Sequence, residues 1–163
     1  MQIKDYLTSL LHSFERYYDV KTEDVTPPFD AEAKFFSHEE QYFLTKAAKL
    51  SESDSSETVY FCTKDNLDLQ TLLELDSEAW NSGTKDICPV FGHRNSDVTL
   101  IIICEKISDE AFKAVKKLHH TKSFCFSFKG WSNYRLIVTE TSSKRIACNR
   151  LGSHLKKLLN SIY

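Results

Sequence analysis

The sequence predicts an α+β fold in which helices cover a mixed β-sheet, and three observations support this prediction. The amino terminus has the 3.6-residue periodicity of an amphipathic helix. Short segments of alternating apolar and polar residues in both halves are typical of strands. A continuous β-branched segment at Val98–Cys104 is typical of a central strand covered on both faces. With 163 residues, 41% hydrophobic content and only four glycines, we expect a single domain spanning 1–163.

The predicted element order is α-β-β-β-α-β-α-β-β-β-α. The first helix ends near Asp19, because apolar side chains recur three and four residues apart up to Tyr18. Phe29–Phe36 and Tyr42–Lys49 predict a hairpin, in a register that places Glu32 opposite Lys46. Thr58–Thr63 is the third predicted strand.

The middle of the chain predicts a helix, a long loop and the central strand. The helix extends over Leu67–Asn81, and Gly83 is expected to end it. Residues 83–97 lose periodicity and are predicted to form a loop before Val98–Cys104. Ser108 is then a predicted amino-terminal cap, followed by Asp109 and Glu110 in the first turn of the next helix.

The last part of the chain predicts three strands and a helix. Phe124–Phe128 alternates, Gly130–Asn133 is typical of a turn, and Tyr134–Thr139 returns as a strand. Lys144–Cys148 is the last predicted strand, and the leucines that follow it fall on one side of a helix.

Four segments together resemble an uncharacterised family of prokaryotic proteins of about 160 residues, a domain of unknown function. The segments are AKFF, YFLTKAAK, KSFCFSFKGW and IACNRLG, and the resemblance covers nearly the whole chain. It implies no catalytic residues that could be transferred to this sequence.

The order of the first elements also resembles the restriction-endonuclease-like core, whose nucleases need an acid on the second strand and Glu-x-Lys on the third. Those groups hold a divalent metal and position the attacking water. Here the predicted second strand has no acid, and Cys62 stands in the place of the glutamate. Glu32 and Lys34 form a Glu-x-Lys pair on the first predicted strand instead, which disfavours an active nuclease.

A second catalytic hypothesis concerns Cys88, His93 and Asp97, which could form a thiol-imidazole-carboxylate site in the predicted loop. A loop cysteine beside a surface histidine is the simpler interpretation. No CxxC, HxH, HExxH or glycine-rich phosphate motif is present, so we expect no metal and no cofactor. The five cysteines are widely spaced, and we expect Cys62, Cys104 and Cys125 to be reduced core thiols of a cytoplasmic protein. No apolar segment approaches the ~20 residues of a membrane span.

Charge is distributed unevenly along the chain. Residues 1–82 contain 7 Lys and Arg and 17 Asp and Glu, a net charge of −10, whereas residues 83–163 contain 14 and 6, a net charge of +8. Such asymmetry marks a candidate interaction surface, although the halves of one domain can also neutralise each other. A basic surface with an exposed aromatic ring could bind nucleic acid, and the candidate residues are Lys113, Lys116, Lys117, Lys122, Lys129, Trp131 and Arg135.

These patterns favour a non-catalytic interaction or accessory domain that binds a protein partner or a second copy of itself. The alternative is a divergent, inactive nuclease-like or nucleic-acid-binding domain, and a third hypothesis is a small-molecule enzyme that uses the loop at His93–Asp97.

Overall fold

The computed structural model describes residues 2–36, 54–85, 87, 93–124 and 130–163. Its helices and strands confirm an α+β fold. In chain order they are α1 (Ile3–Phe14), β1 (Asp19–Lys21), β2 (Ala31–Phe36), β3 (Asp54–Leu67), α2 (Leu69–Lys85), β4 (His93–Ile107), α3 (Asp109–Val115), β5 (Thr121–Ser123), β6 (Trp131–Glu140), β7 (Arg145–Cys148), a 3₁₀ turn (Leu151–Leu155) and α4 (Lys156–Ser161).

The described strands form one mixed sheet in the order β1-β2-β3-β4-β6-β5, and β7 also pairs with β6. Strands β3, β4 and β6 are parallel, and the remaining pairs are antiparallel. Parallel neighbours need a crossover connection. Helix α2 lies in the connection from β3 to β4, and helix α3 lies in the connection from β4 to β6. Apart from β5 and β6, the strand order therefore follows the order of the chain.

Side chains alternate between two hydrophobic cores, one on each face of the sheet. Helices α2 and α3 cover the face that carries Tyr60, Leu100 and Leu136. Helices α1 and α4 cover the opposite face, which carries Phe61 and Ile101. Every residue from Val98 to Cys104 is fully buried, and β4 lies between β3 and β6. The prediction of a doubly covered central strand is confirmed.

The helix ends agree only in part with the sequence prediction. The Ser108 hydroxyl accepts a hydrogen bond from the Ala111 amide, which confirms the predicted cap of α3. Helix α1 ends at Phe14, earlier than predicted, and Tyr17 beyond it is 59% exposed. The prediction that Gly83 ends α2 is wrong, because the helix continues to Lys85. Gly83 instead allows close packing: a Cβ there would lie 2.6 Å from Cγ2 of Val98.

Two further predictions are wrong. Residues 93–97 belong to β4 and not to a loop. The pairing of Glu32 with Lys46 is excluded, because Lys21 of β1 and Tyr60 of β3 occupy the two sides of β2 at Glu32. The predicted strand Tyr42–Lys49 lies outside the described residues, as does most of Phe124–Phe128. The restriction-endonuclease-like topology stays a prediction.

Candidate functional site

Three charged side chains meet near the amino-terminal ends of the parallel strands, on the face covered by α1. Glu57 of β3 is directly opposite Asp97 of β4, and Arg135 of β6 is opposite Thr99, two residues further along β4. We call Glu57, Asp97 and Arg135 the carboxylate–arginine cluster. Two of its members, Asp97 and Arg135, were candidates for different functions in the sequence.

Arg135 bridges the two carboxylates of this cluster. Its Nη1 donates to Oε1 of Glu57 at 2.9 Å, and its Nη2 donates to Oδ2 of Asp97 at 2.5 Å. The Thr99 hydroxyl also donates to Oε1 of Glu57 at 2.5 Å, and the Tyr18 hydroxyl donates to Oε2 at 2.7 Å. The carboxylate of Glu57 therefore has a partner on each oxygen.

Asp97 is bound as completely as Glu57. The backbone amide and side-chain amide of Asn133 both lie 3.3 Å from its Oδ1, and Nδ2 of Asn95 lies 3.2 Å from its Oδ2. The Asp97 side chain is only 7% exposed, and that of Arg135 is 21% exposed. A desolvated ion pair of this kind, with hydrogen bonds on every carboxylate oxygen, fixes the relative positions of three strands.

The surroundings of the cluster also affect Tyr18. Burial raises the pKa of the Tyr18 hydroxyl well above its ordinary value, and the negative charge of Glu57 raises this pKa further. The hydroxyl therefore stays protonated and remains a hydrogen-bond donor to Glu57. None of the described contacts leaves a carboxylate of this cluster unpaired and available as a general base.

A second polar group lies on the opposite face, where α2 packs near β5 and β6. Nε2 of His120 donates to Oδ2 of Asp76 at 2.7 Å, and the Asp76 side chain is 5% exposed. The His120 ring stacks on Trp80 at 5.3 Å between centroids and meets the edge of Tyr134 at 4.9 Å. We call Asp76, Trp80, His120 and Tyr134 the histidine cluster.

Buried polar atoms without a hydrogen-bond partner concentrate around the histidine cluster. Within the described residues they are Oδ1 of Asp76, Oγ of Ser132 and the hydroxyl of Tyr134. Burial raises the pKa of Tyr134, and the charge of Asp76 raises it further. Sequence reasoning missed this cluster, although Asp76 interrupts the apolar stripe of α2 between Leu75 and Ala79, and a charge in such a stripe is a usable signal.

The hypothesis of a Cys88–His93–Asp97 site stays a prediction, because the side chains of Cys88 and His93 lie outside what the structure describes. Asp97 is held by Arg135, His93 is the first residue of β4, and Cys88 lies outside the described part of the chain. Glu32 is 7% exposed and accepts a hydrogen bond from the Thr26 amide at 2.7 Å. Lys34 lies two residues further along β2.

The proposed nucleic-acid-binding residues are divided between the two faces of the sheet. Lys122 is opposite Ser132 in the β5–β6 pair, so its side chain is on the α2 face. Trp131, which is 41% exposed, and Arg135 alternate with Ser132 and are on the α1 face. Exposed lysines at the end of α3 adjoin the first group, and they are Lys113, Lys116 and Lys117. Lys129 lies outside the described residues.

Two buried cysteine thiols have no activating environment. Burial raises the pKa of Cys62 to about 11 and that of Cys104 to about 12, so both stay protonated at neutral pH. Cys125 lies outside the described residues. Across the described ranges, no three His, Cys, Asp or Glu side chains are close enough together to hold a metal ion. The described helices include none with the length and apolar character needed to cross a membrane.

Comparison with known proteins identifies a family. No curated protein and no solved structure is significantly similar to the chain. One family model, "Domain of unknown function (DUF8052)", matches residues 2–161. This match confirms the resemblance to a domain of unknown function that the sequence motifs indicated. The chain belongs to the DUF8052 family.

Proposed function

We propose that this chain is a non-catalytic interaction or accessory domain that associates with a protein partner, in the simplest case a second copy, through surfaces of opposite charge. The strand order carries this proposal. Because β1, β2 and β3 lie on one side of β4, and β6, β5 and β7 lie on the other, the charge asymmetry along the chain becomes a separation in space. A single small domain of cytoplasmic location, and of prokaryotic origin, is part of the same proposal.

The exposed charges follow this separation. Acidic residues dominate the exposed charges at β1 and in the segment before β2, and they are Asp19, Glu23, Asp24 and Asp30. Basic residues dominate beyond β6, and they are Lys116, Lys117, Lys122, Lys144, Arg145, Arg150, Lys156 and Lys157. Opposite charges on two sides of one molecule accelerate and orient association with a complementary surface, and they do so most strongly at low salt.

The two polar clusters support a non-catalytic role. In the carboxylate–arginine cluster, the guanidinium of Arg135 lies between the two acids, the position that a divalent metal would need. In the histidine cluster, the carboxylate of Asp76 is engaged with His120 on one oxygen and is buried on the other. Both clusters hold secondary-structure elements together, which is a structural role.

The alternative, a divergent nuclease-like or nucleic-acid-binding domain, has less support. Its candidate residues are divided between two faces, and Arg135 is engaged with Glu57 and Asp97. A gel-shift assay and a cleavage assay with divalent metal test this alternative. If the protein neither binds nor cuts nucleic acid, this alternative function is excluded.

Static light scattering across salt concentrations tests the proposed function. The Debye length falls from ~30 Å at 0.01 M salt to ~3 Å at 1 M, so electrostatic contacts between exposed groups weaken over this range. We expect a mass above the 18.8 kDa of one chain at low salt and a return to this value as salt rises. A mass of 18.8 kDa at every salt concentration would contradict the proposal that the protein self-associates.

A further inference from the structure

An acidic groove lies on the outer side of α2. Two shallow depressions share Glu74 and Glu78. One is lined also by Leu69 and Leu73, and the other by the Pro27-Pro28 segment, Leu75 and the single basic residue Lys64. Leu73 is 44% exposed and is one of four large apolar side chains exposed within the described residues. We call the surface around Leu69, Leu73, Glu74 and Glu78 the acidic groove.

A complementary surface lies at the carboxyl-terminal end of the chain. Residues 141–163 contain five Lys and Arg and no Asp or Glu. Arg150, His154 and Lys157 are exposed there, and Leu151 between them is 46% exposed. Leu151 and His154 are three residues apart in the 3₁₀ turn and therefore lie on the same side of it. We call Arg150, Leu151, His154 and Lys157 the basic patch.

The basic patch is held rigidly on β6. Oδ1 of Asn149 accepts hydrogen bonds from the amides of Leu136 and Gly152, at 3.2 and 2.8 Å. A Cβ on Gly152 would lie 2.6 Å from the Leu136 carbonyl oxygen, so only glycine allows the turn to approach the strand this closely. A surface that is already ordered loses little conformational entropy on binding.

We infer that the acidic groove of one copy binds the basic patch of a second copy. This inference rests on the proposed function and names the surfaces involved. The two surfaces have opposite charge, and each has an exposed leucine that the other could cover. The groove is on α2 and the patch is beside β6, so the contact joins two different surfaces. Head-to-tail contacts of this type form chains of molecules or closed rings.

Two charge-reversed variants test this inference. Glu74→Lys with Glu78→Lys inactivates the groove and leaves the patch intact, whereas Arg150→Glu with Lys157→Glu inactivates the patch and leaves the groove intact. Each variant alone should have the monomer mass of 18.8 kDa by light scattering at low salt. An equimolar mixture should regain association, because the intact patch of the first variant meets the intact groove of the second, and the reversed groove meets the reversed patch, so every mixed contact again joins opposite charges.

The matched control is Asp65→Lys with Glu105→Lys, which changes the net charge by the same amount as the groove variant. Both positions are exposed and lie outside the groove. This control should associate like the wild type. Circular dichroism of all variants should match the wild type, which shows that loss of association is not loss of folding.

The possible outcomes separate this inference from the proposed function. If the wild type associates but the groove variant still associates equally well, or if the mixture stays monomeric, the assignment of the surfaces is wrong while self-association stands. If the wild type is monomeric at every salt concentration, both self-association and this interface are wrong.

Discussion

Removal of the Arg135 guanidinium should show how much the carboxylate–arginine cluster contributes to stability. In Arg135→Met, the buried carboxylate of Asp97 loses its 2.5 Å ion pair and Glu57 loses its 2.9 Å ion pair. Breaking a buried pair by removing one partner costs about 3–5 kcal/mol. Because the side chain of Glu57 is 18% exposed, we expect the lower end, a loss of about 3 kcal/mol in the free energy of unfolding. Urea unfolding followed by circular dichroism measures this loss.

A matched variant separates charge from shape in this experiment. Arg135→Met combined with Glu57→Gln and Asp97→Asn removes all three charges and keeps similar side-chain volumes. Replacing a whole buried ion pair costs much less than breaking it, so this variant should be more stable than Arg135→Met alone by at least ~1 kcal/mol. The reasoning is refuted if Arg135→Met loses less than about 1 kcal/mol, or if neutralising the two acids gives no recovery.

Three further predictions concern packing, hydrogen bonding and pH. Gly83→Ala should destabilise the protein by about 1–3 kcal/mol, although alanine favours helices, because its Cβ would collide with Val98; Val98→Ala should relieve this effect in urea unfolding. Tyr6→Phe should cost about 1 kcal/mol, since its hydroxyl donates a buried 2.5 Å hydrogen bond to the Leu159 carbonyl. The pKa of Glu140 is lowered to about 2, mainly by its hydrogen bond to Arg145. Ionised Glu140 therefore contributes fully to the free energy of unfolding above pH 4.5, and this contribution is lost as pH falls from 4.5 to about 2. Glu140→Gln should remove this pH dependence.

Each of these predictions can fail in a distinct way. Equal stability of Gly83→Ala and the wild type would mean that α2 can move away from β4 at no cost. Equal stability of Tyr6→Phe and the wild type would mean that the buried hydrogen bond of the Tyr6 hydroxyl contributes nothing to the free energy of unfolding. An unchanged stability profile of Glu140→Gln between pH 4.5 and 2 would contradict the assigned pKa.

Features that depend on local sequence were predictable. The continuous β-branched segment Val98–Cys104 predicts a strand that is buried on both faces, and this segment of β4 is buried in that way. Ser108, Asp109 and Glu110 specify a helix start by side-chain chemistry alone, and α3 begins there. The α+β class, with helices on both faces of a mixed sheet, is confirmed as well.

Features that depend on pairing between distant segments were not predictable. Strand β1 has only three residues and no alternating pattern to reveal it, so the sequence did not show that it would occupy the side of β2 assigned to Lys46. Glu57 and Arg135 are 78 residues apart, and only the registers of β3, β4 and β6 bring them together. The carboxylate–arginine cluster is therefore a property of the sheet, and none of its members has a recognisable motif.

The charge separation across the sheet can be tested while the net charge stays constant. A variant with Asp19→Lys, Glu23→Lys, Lys117→Glu and Lys122→Glu keeps the net charge of −2, and it changes the two halves from −10 and +8 to −6 and +4. All four positions are exposed, and none belongs to the acidic groove or the basic patch.

Light scattering of this variant beside the wild type, at ~0.05 M salt and matched concentrations, tests whether the separation of charge across the sheet drives association. The four positions lie outside the proposed contact and act through the long-range field of the molecule, so we expect the association constant of the variant to be lower than that of the wild type at this salt concentration. Association of equal strength in both proteins would show that the spatial separation of charge does not drive binding.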